Sequence, residues 1–337
     1  MRGAEVSTAI VSLEQPMPLN ESLLCAYGFP RAAAPIALDG TQVESWNKES
    51  GWRWIHVDRT NPEVEPWLHE SADLDDLAVE ALLQEETRPR CEKIGSGLLV
   101  ILRGVNLNVG ADPEDMVSIR LWIDADRVIS LRHRKLMAVQ DVRDAIARGD
   151  APATPGALLI EIAARMIDRM GGVLDGLNDA VDQVEEDVLD APSNELRSKL
   201  SQLRRQAISL RRFLAPQREV FTRLIAERSA LFGESDHAQI REITDRLTRY
   251  IEELDSARDR AAVTQEELGG RISDQMNRNM YVLSIVAGIF LPLGLLTGLL
   301  GINVGGLPGT QNKWAFAIVC AILVAMTFVV LWLFRKM

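Results

Sequence analysis

The sequence predicts an α+β domain followed by long α-helices, a helical stalk and two transmembrane helices. Three observations predict it. Up to about residue 136, aromatic and β-branched runs alternate with short amphipathic stretches. From about Pro155 the apolar positions recur in steps of three and four instead. Near the end, residues 281–300 and 314–334, 20 and 21 residues long, carry no charge at all. A bilayer core about 30 Å thick needs roughly 20 apolar residues as helix.

In chain order, WRWIHVD (52–58) reads as a strand ending at an acid. Residues 71–86 place Leu74, Leu77, Val79, Leu82 and Leu83 at roughly helical spacing, with Ser71 or Asp73 as the expected N-cap. GLLVILRGVNLN (97–108) reads as a strand, and 116–136 as a hairpin turned at Asp124-Ala125-Asp126. Residues 1–49 are harder to read, because Pro16, Pro18, Pro30 and Pro35 break any long element. The N-terminal MRGAEVSTAIVSLEQPMP (1–18) lacks an apolar core of signal-peptide length, so no cleaved signal is expected.

The helical part begins with a stripe over 157–189: Leu158, Ile162, Met166, Val173, Leu177, Val181, Val184 and Val188. Asp175, Asp179, Asp182 and Glu186 form an acidic face on the same helix. After a turn at Ala191-Pro192-Ser193-Asn194, residues 195–230 are basic, with Arg197, Lys199, Arg204, Arg205, Arg211, Arg212 and Arg218. An antiparallel hairpin would set acids against bases. Two readings stand: a solvated, salt-bridged helix pair, or an acidic face that senses cations. A third helix carries Ile240, Ile243, Leu247, Tyr250, Leu254, Ala257, Ala261, Thr264 and Leu268, an a/d seam of four heptads. One helix from about Asp236 to Leu300, roughly 95 Å long, is the economical reading. Its seam predicts packing against copies of itself.

The rhythm continues into the first apolar segment through Asn277, Met280, Ser284, Ala287, Leu291, Gly294 and Gly298. Such small and polar residues suit close helix packing, as in the Gly294–Gly298 small-xxx-small pair. They equally suit a narrow pore lined by several copies, since polar side chains in lipid are costly. The expected division is 1–153 for an N-terminal α/β domain, 154–232 for a helix hairpin, 233–278 for the stalk, 279–300 and 314–334 for the spans, 301–313 for the loop between them and 335–337 for a tail.

Composition narrows the function. The 337-residue chain carries 48 acids and 37 bases, a net charge of −11. Residues 1–278 hold every acid and 34 of the bases, leaving −14 on the part outside the apolar segments. That excess attracts cations and excludes nucleic acid as the expected partner. Arg271 and Arg278 precede the first span, Arg335 and Lys336 follow the second, and the loop has Lys313 alone. The positive-inside rule then puts both termini in the cytoplasm. Cys25, Cys91 and Cys320 are scattered and odd in number, which fits a reducing compartment. No phosphate loop, nucleophile constellation or redox pair points to an enzyme. His56, His69, His133 and His237 are isolated, so no zinc-ligand spacing is present and each reads as a structural or surface histidine. Neither span has an Asp, Glu or His to relay protons.

After the first span stands Gly301-Ile302-Asn303, within GINVGGLPG. A C-terminal helical hairpin with Gly-Met-Asn or a close variant at this place resembles the CorA-type divalent cation transporters. The Ile at the middle position, together with LAVEALLQEETRPR (77–90) and VISLRHRKLMAVQDVR (128–143), is similar to the ZntB branch associated with zinc. The Met-Pro-Glu-Leu that commonly follows in magnesium members is missing.

The resemblance implies a homopentameric funnel in the bacterial inner membrane, moving divalent cations, zinc above all, with proton-coupled uptake and no cofactor. It implies that Asn277, Met280, Leu283, Ala287, Leu291 and Gly294 face the pore; Ser284 and Gly298 share their stripe. Gly301, Ile302 and Asn303 would form the outer mouth, where a ring of Asn carbonyls offers neutral dipoles to a cation or its bound water. A magnesium, cobalt or nickel channel of the same build, and a non-conducting membrane-anchored coiled-coil scaffold, are the alternatives.

Overall fold

A computed structural model gives the structure of the chain and describes residues 19, 21–190, 193–226, 231–302, 309 and 312–336. The N-terminal residues 1–18, the turn residues 191–192 and most of the 301–313 loop, Asn303 included, lie outside the described residues.

The first part is a mixed sheet flanked by helices. Its elements are β1 (Leu23–Pro30), β2 (Ile36–Ala37), α1 (Gly40–Glu44), β3 (Gly51–Asp58), α2 (Val64–Glu70), α3 (Asp76–Leu83), β4 (Arg90–Ile94), β5 (Gly97–Gly104), β6 (Val117–Ile123), β7 (Arg127–Arg132) and α4 (Met137–Ala147). The strand order is β2-β1-β3-β7-β6-β5-β4. Only β3 and β7 run parallel, with Trp54 opposite Val128 and Val57 opposite Leu131. The central strands are buried on both faces, as a sheet covered on both sides requires. One face packs on α2 and α3 through Val57, Leu68, Ala78, Leu82, Leu99 and Ile129.

The expected strand at 52–58 is β3, and the hairpin at 116–136 is β6–β7. Its turn is held by Asp124, whose Oδ1 accepts the N–H groups of Asp126 and Arg127 at 3.0 Å each. The expected helix over 71–86 is shorter than that. It starts at Asp76, and its N-cap is Asp75, which accepts the Leu77 N–H at 2.9 Å. Ser71 closes the preceding α2 instead, and Asp73, with φ of +48°, turns the chain left-handed between the two helices. Leu74 is buried, whereas Leu77 is exposed.

Three long helices follow: α5 (Pro155–Asp190), α6 (Asn194–Ala226) and α7 (Glu234–Gly301). The last apolar helix is α8 (Ala315–Lys336). The stripe on α5 is buried at Leu158, Ile162, Met166, Leu177, Val181, Val184 and Val188. Val173 is the exception: it is only half-buried, and Met170 and Leu174 hold the core at that level, because a 3.6-residue repeat reaches 174 four residues after 170. Helices α5 and α6 meet the sheet at the C-terminal end of β5. A Cβ at Gly104 would stand 2.8 Å from Leu136 and 3.4 Å from Met166 of α5. The Arg103 N–H donates to Gln217 Oε1 of α6 at 2.7 Å.

The seam on α7 corrects an expectation. Ile240, Ile243, Leu247, Leu254, Ala257 and Ala261 are buried within a single chain. Ion pairs join this helix to its own neighbours: Arg246 to Asp168 of α5 at 2.7 Å, and Asp255 to Arg211 of α6 at 2.7 Å. The seam is therefore covered by helices of the same chain and is not a free surface for self-packing. Two acids of α5 likewise meet α7: Arg260 bonds Asp182, and reaches Glu185 at 3.1 Å.

The chain divides into two compact units. The first is Met1–Glu186 with Ser198–Ala262, and the second is Asp187–Arg197 with Val263–Met337. The sheet belongs to the first and both candidate spans to the second.

Candidate ion pathway

The C-terminal part of α7 and the whole of α8 are long and apolar enough to cross a membrane, and none of their apolar windows is buried. Helices that expose Phe290, Phe316, Phe328 and Leu331 to water would aggregate; lipid is the solvent such surfaces require. Trp314 and Trp332 stand near the two ends of α8, and the Lys336 ammonium lies 5.4 Å from the Trp332 ring, in the manner of interfacial anchors. The Asn312 side chain accepts the Trp314 N–H at 2.9 Å and so satisfies a donor ahead of α8.

The two helices make one contact face. The Tyr281 hydroxyl donates to the Phe334 carbonyl at 3.2 Å, and their rings meet edge to face. A Cβ on Gly288 would come within 2.9 Å of the Phe334 ring. Around Gly288, Ile285, Ile289, Pro292, Leu293 and Leu296 are half-buried.

The stripe singled out in the sequence lies elsewhere. Asn277, Met280, Leu283, Ser284, Ala287, Leu291, Gly294 and Gly298 are all exposed, Leu291 to 78%. With about 100° per residue, their mean direction is roughly 150° around the helix from the Gly288 face. A Cβ at Gly294 or Gly298 would meet nothing within 4 Å. The small-residue contact inside the chain is thus Gly288, a residue the sequence reading passed over. Its signal was available: Gly288 falls one step off the stripe, on the side where Ile285 and Ile289 also sit. The Thr297 hydroxyl returns to its own helix, donating to the Leu293 carbonyl at 2.9 Å. α7 ends at Gly301, Ile302 follows it exposed, and Asn303 lies outside the described residues.

Comparison with known proteins decides the family. The family model described as "CorA-like Mg2+ transporter protein" matches residues 49–336. The chain belongs to the CorA family of divalent cation transporters. It is 44% identical to the "Divalent cation transporter CmaX" of Pseudomonas aeruginosa over 84% of this chain and 86% of that one. It is 37% identical to the "Zinc transport protein ZntB" of Yersinia enterocolitica over 83% and 85%. Among solved structures, "structure of the full-length CmaX protein" matches with a TM-score of 0.83 and 40% identity, over 94% of this chain and 98% of that one.

As a CorA-family protein the chain is a transporter and not an enzyme. Its other candidate residues are dispersed. Among the described residues, no group of three or more His, Cys, Asp or Glu is placed to hold a metal ion. Asp175, Asp179 and Glu186 are exposed, and Asp182 is joined to Arg260. Hydrogen bonds to Glu185 and then Asp182 hold the Arg260 guanidinium above its ordinary range. Of the histidines, His56 is fully buried, with Nδ1 2.8 Å from the Ser130 hydroxyl, and burial pushes its pKa down to about 3. It is a neutral core residue. His69 lies 3.2 Å from Asp76 at the surface.

Proposed function

We propose that the chain assembles as a homopentamer in the bacterial inner membrane and conducts zinc through a path lined by the exposed stripe of α7. One observation carries the proposal. Within a single chain α8 covers the Gly288 face and leaves the small and polar line from Asn277 to Gly298 without a partner. Lipid does not favour Asn277 or Ser284, and a water-filled axis shared by several copies does. Asn277, Met280, Leu283, Ser284, Ala287, Leu291, Gly294 and Gly298 are the proposed lining, and Gly301, Ile302 and Asn303 the proposed outer mouth. Both termini are proposed to lie in the cytoplasm, from the placing of Arg271, Arg278, Arg335 and Lys336. Any proton coupling would travel through pore water or through titrating groups outside the membrane, since the spans hold no acid or histidine.

Zinc is favoured by Ile302 in the triplet and by relatives named as zinc transport proteins. A magnesium-type reading keeps the same pathway and is favoured by the family description and by a relative named only as a divalent cation transporter. Uptake of zinc and magnesium by the purified protein in liposomes, beside Asn303→Ala, tests both. Zinc flux that disappears in the variant is the expected result. Magnesium flux without zinc transfers the protein to the second reading, and no flux of either from intact oligomers overturns both.

A further inference from the structure

The sheet unit contains a group of arginines that the ion pathway does not use. Arg120 stands in the middle of β6 and is 1% exposed. Its two terminal nitrogens donate to the Leu82 carbonyl at 2.8 Å and the Glu85 carbonyl at 3.1 Å, at the C-terminal end of α3. Arg59 donates to the Leu83 carbonyl at 2.9 Å. Arg103 donates to the Met116 carbonyl at 2.7 Å and the Thr87 carbonyl at 2.8 Å, and its guanidinium lies 4.8 Å from the Phe213 ring. The hydrogen bonds recorded for these three guanidiniums thus end on neutral backbone oxygens. The Nε atoms of all three are buried and have no hydrogen-bond partner among the described residues. A buried donor without a partner costs about 1–3 kcal/mol, and more when it belongs to a charged group.

All three arginines line one cavity of about 170 Å³, with Arg134, His133, Glu85 and Asp115 also on its wall. Arg134 already pairs with Asp115, and Glu85 is exposed. Four arginines against two carboxylates leave the cavity positive in a protein whose net charge is −11. The crowding is visible in Arg120, whose pKa falls to about 10 through burial first and then the charges of Arg59, Arg103 and Arg90. Clustering like charges around one cavity is costly, and a bound anion offsets that cost. A guanidinium carries five N–H donors, and the carbonyl bonds use one at Arg59 and two each at Arg103 and Arg120, so N–H groups remain for a multidentate oxyanion.

We propose that this cavity is a binding site for a small phosphate-like oxyanion. The charge sign, the remaining guanidinium N–H groups and the cavity size all bear on the same ligand. A cavity of about 170 Å³, below the roughly 300–1,000 Å³ of drug-sized pockets, suits an inorganic oxyanion or the head of a phosphate monoester. The cavity belongs to the first compact unit, and the proposal does not rest on the proposed pathway.

The test is calorimetric titration of inorganic phosphate into the purified full-length protein in detergent, in chloride buffer of constant ionic strength. Saturable binding is expected, with affinity roughly tenfold or more weaker in Arg59→Gln and in Arg103→Gln, as loss of a charge-assisted contact implies. Arg120→Gln lies in the core and is vulnerable to misfolding. Arg134→Gln, at the exposed edge of the cavity, is therefore measured as well and is expected to weaken binding while the thermal transition stays unchanged. Glycerol 3-phosphate in a parallel titration separates the sources: tighter binding than inorganic phosphate identifies a monoester, and weaker binding identifies the free ion. Absence of saturable phosphate binding by the folded wild type overturns the proposal. So does an affinity that Arg59→Gln, Arg103→Gln and Arg134→Gln all leave unchanged.

Discussion

The two parts of α7 keep one rhythm of threes and fours and meet different surroundings. From Ile240 to Ala261 the stripe is buried by helices of its own chain, and ion pairs from Arg246, Asp255 and Arg260 hold the packing in register. From Asn277 to Gly298 the same spacing stays exposed, while the other side of the helix rests on α8. Periodicity marks which face of a helix is special. It does not say what covers that face. The residue types do say something: Ile, Leu and Ala in the first part suit a dry intramolecular core, whereas Asn277 and Ser284 in the second are poor core material and poor lipid contacts.

The largest expected effect breaks the first part. Leu254 is 1% exposed, and Leu254→Ala should lower stability by about 2–5 kcal/mol, read as thermal or denaturant unfolding of the full-length protein in detergent. Leu291→Ala, on the open stripe, should change that unfolding by less than about 0.5 kcal/mol and act on ion flux instead. Equal losses at both sites would mean that the stripe is packed as tightly as the seam, and the contrast between the two regions would collapse.

Legibility followed the same line. Elements with a strong local pattern of residue types could be read: the WRWIHVD strand, the Asp124 turn, the long helices and the uncharged spans. What required partners far along the chain could not. β1 and β4 carry weaker patterns and become strands through pairing with β3 and β5. The parallel union of β3 with β7 joins residues over 70 positions apart, such as Trp54 and Ser130, whose side chains bond at 2.8 Å. Asp73 looked like a helix cap because its type suits one, and only its left-handed backbone rules that out. The proposed pathway was legible as a stripe of residue types, but its covered counterpart at Gly288 needed Phe334 from the other helix. Arg59, Arg103 and Arg120 come from three strands or their ends, and nothing in their spacing announces that they share a cavity.

A smaller effect sharpens the contrast within the membrane part. Gly288→Leu forces a side chain into the Phe334 ring and should cost about 1–3 kcal/mol, seen as a lower thermal transition. Gly294→Ala meets open space in the single chain, so the transition should hold or rise slightly, by up to about 1 kcal/mol of helix propensity. If five copies draw the stripe toward one axis, the added methyl narrows the path and flux falls while stability does not. A Gly294→Ala protein with lower stability and unchanged flux would place that residue in a contact with lipid or with a neighbouring helix, away from any path.

The smallest effect concerns the ion pairs of the first part. Arg260, Asp182 and Glu185 are each about a third or more exposed, so Arg260→Ala should cost only about 0.5–1 kcal/mol and less at high salt. The informative reading is its response to cations. In the wild type the guanidinium occupies the carboxylates that a divalent ion would need, and Asp175, Asp179 and Glu186 stand exposed on the same helix. If the acidic face senses cations, removing Arg260 releases the Asp182 carboxylate from that pair, and magnesium or zinc should raise the transition temperature of Arg260→Ala more than that of the wild type. Equal shifts in the two proteins would assign cation binding to other residues and leave this face as a salt-bridged seam, the simpler of the two readings its sequence allows.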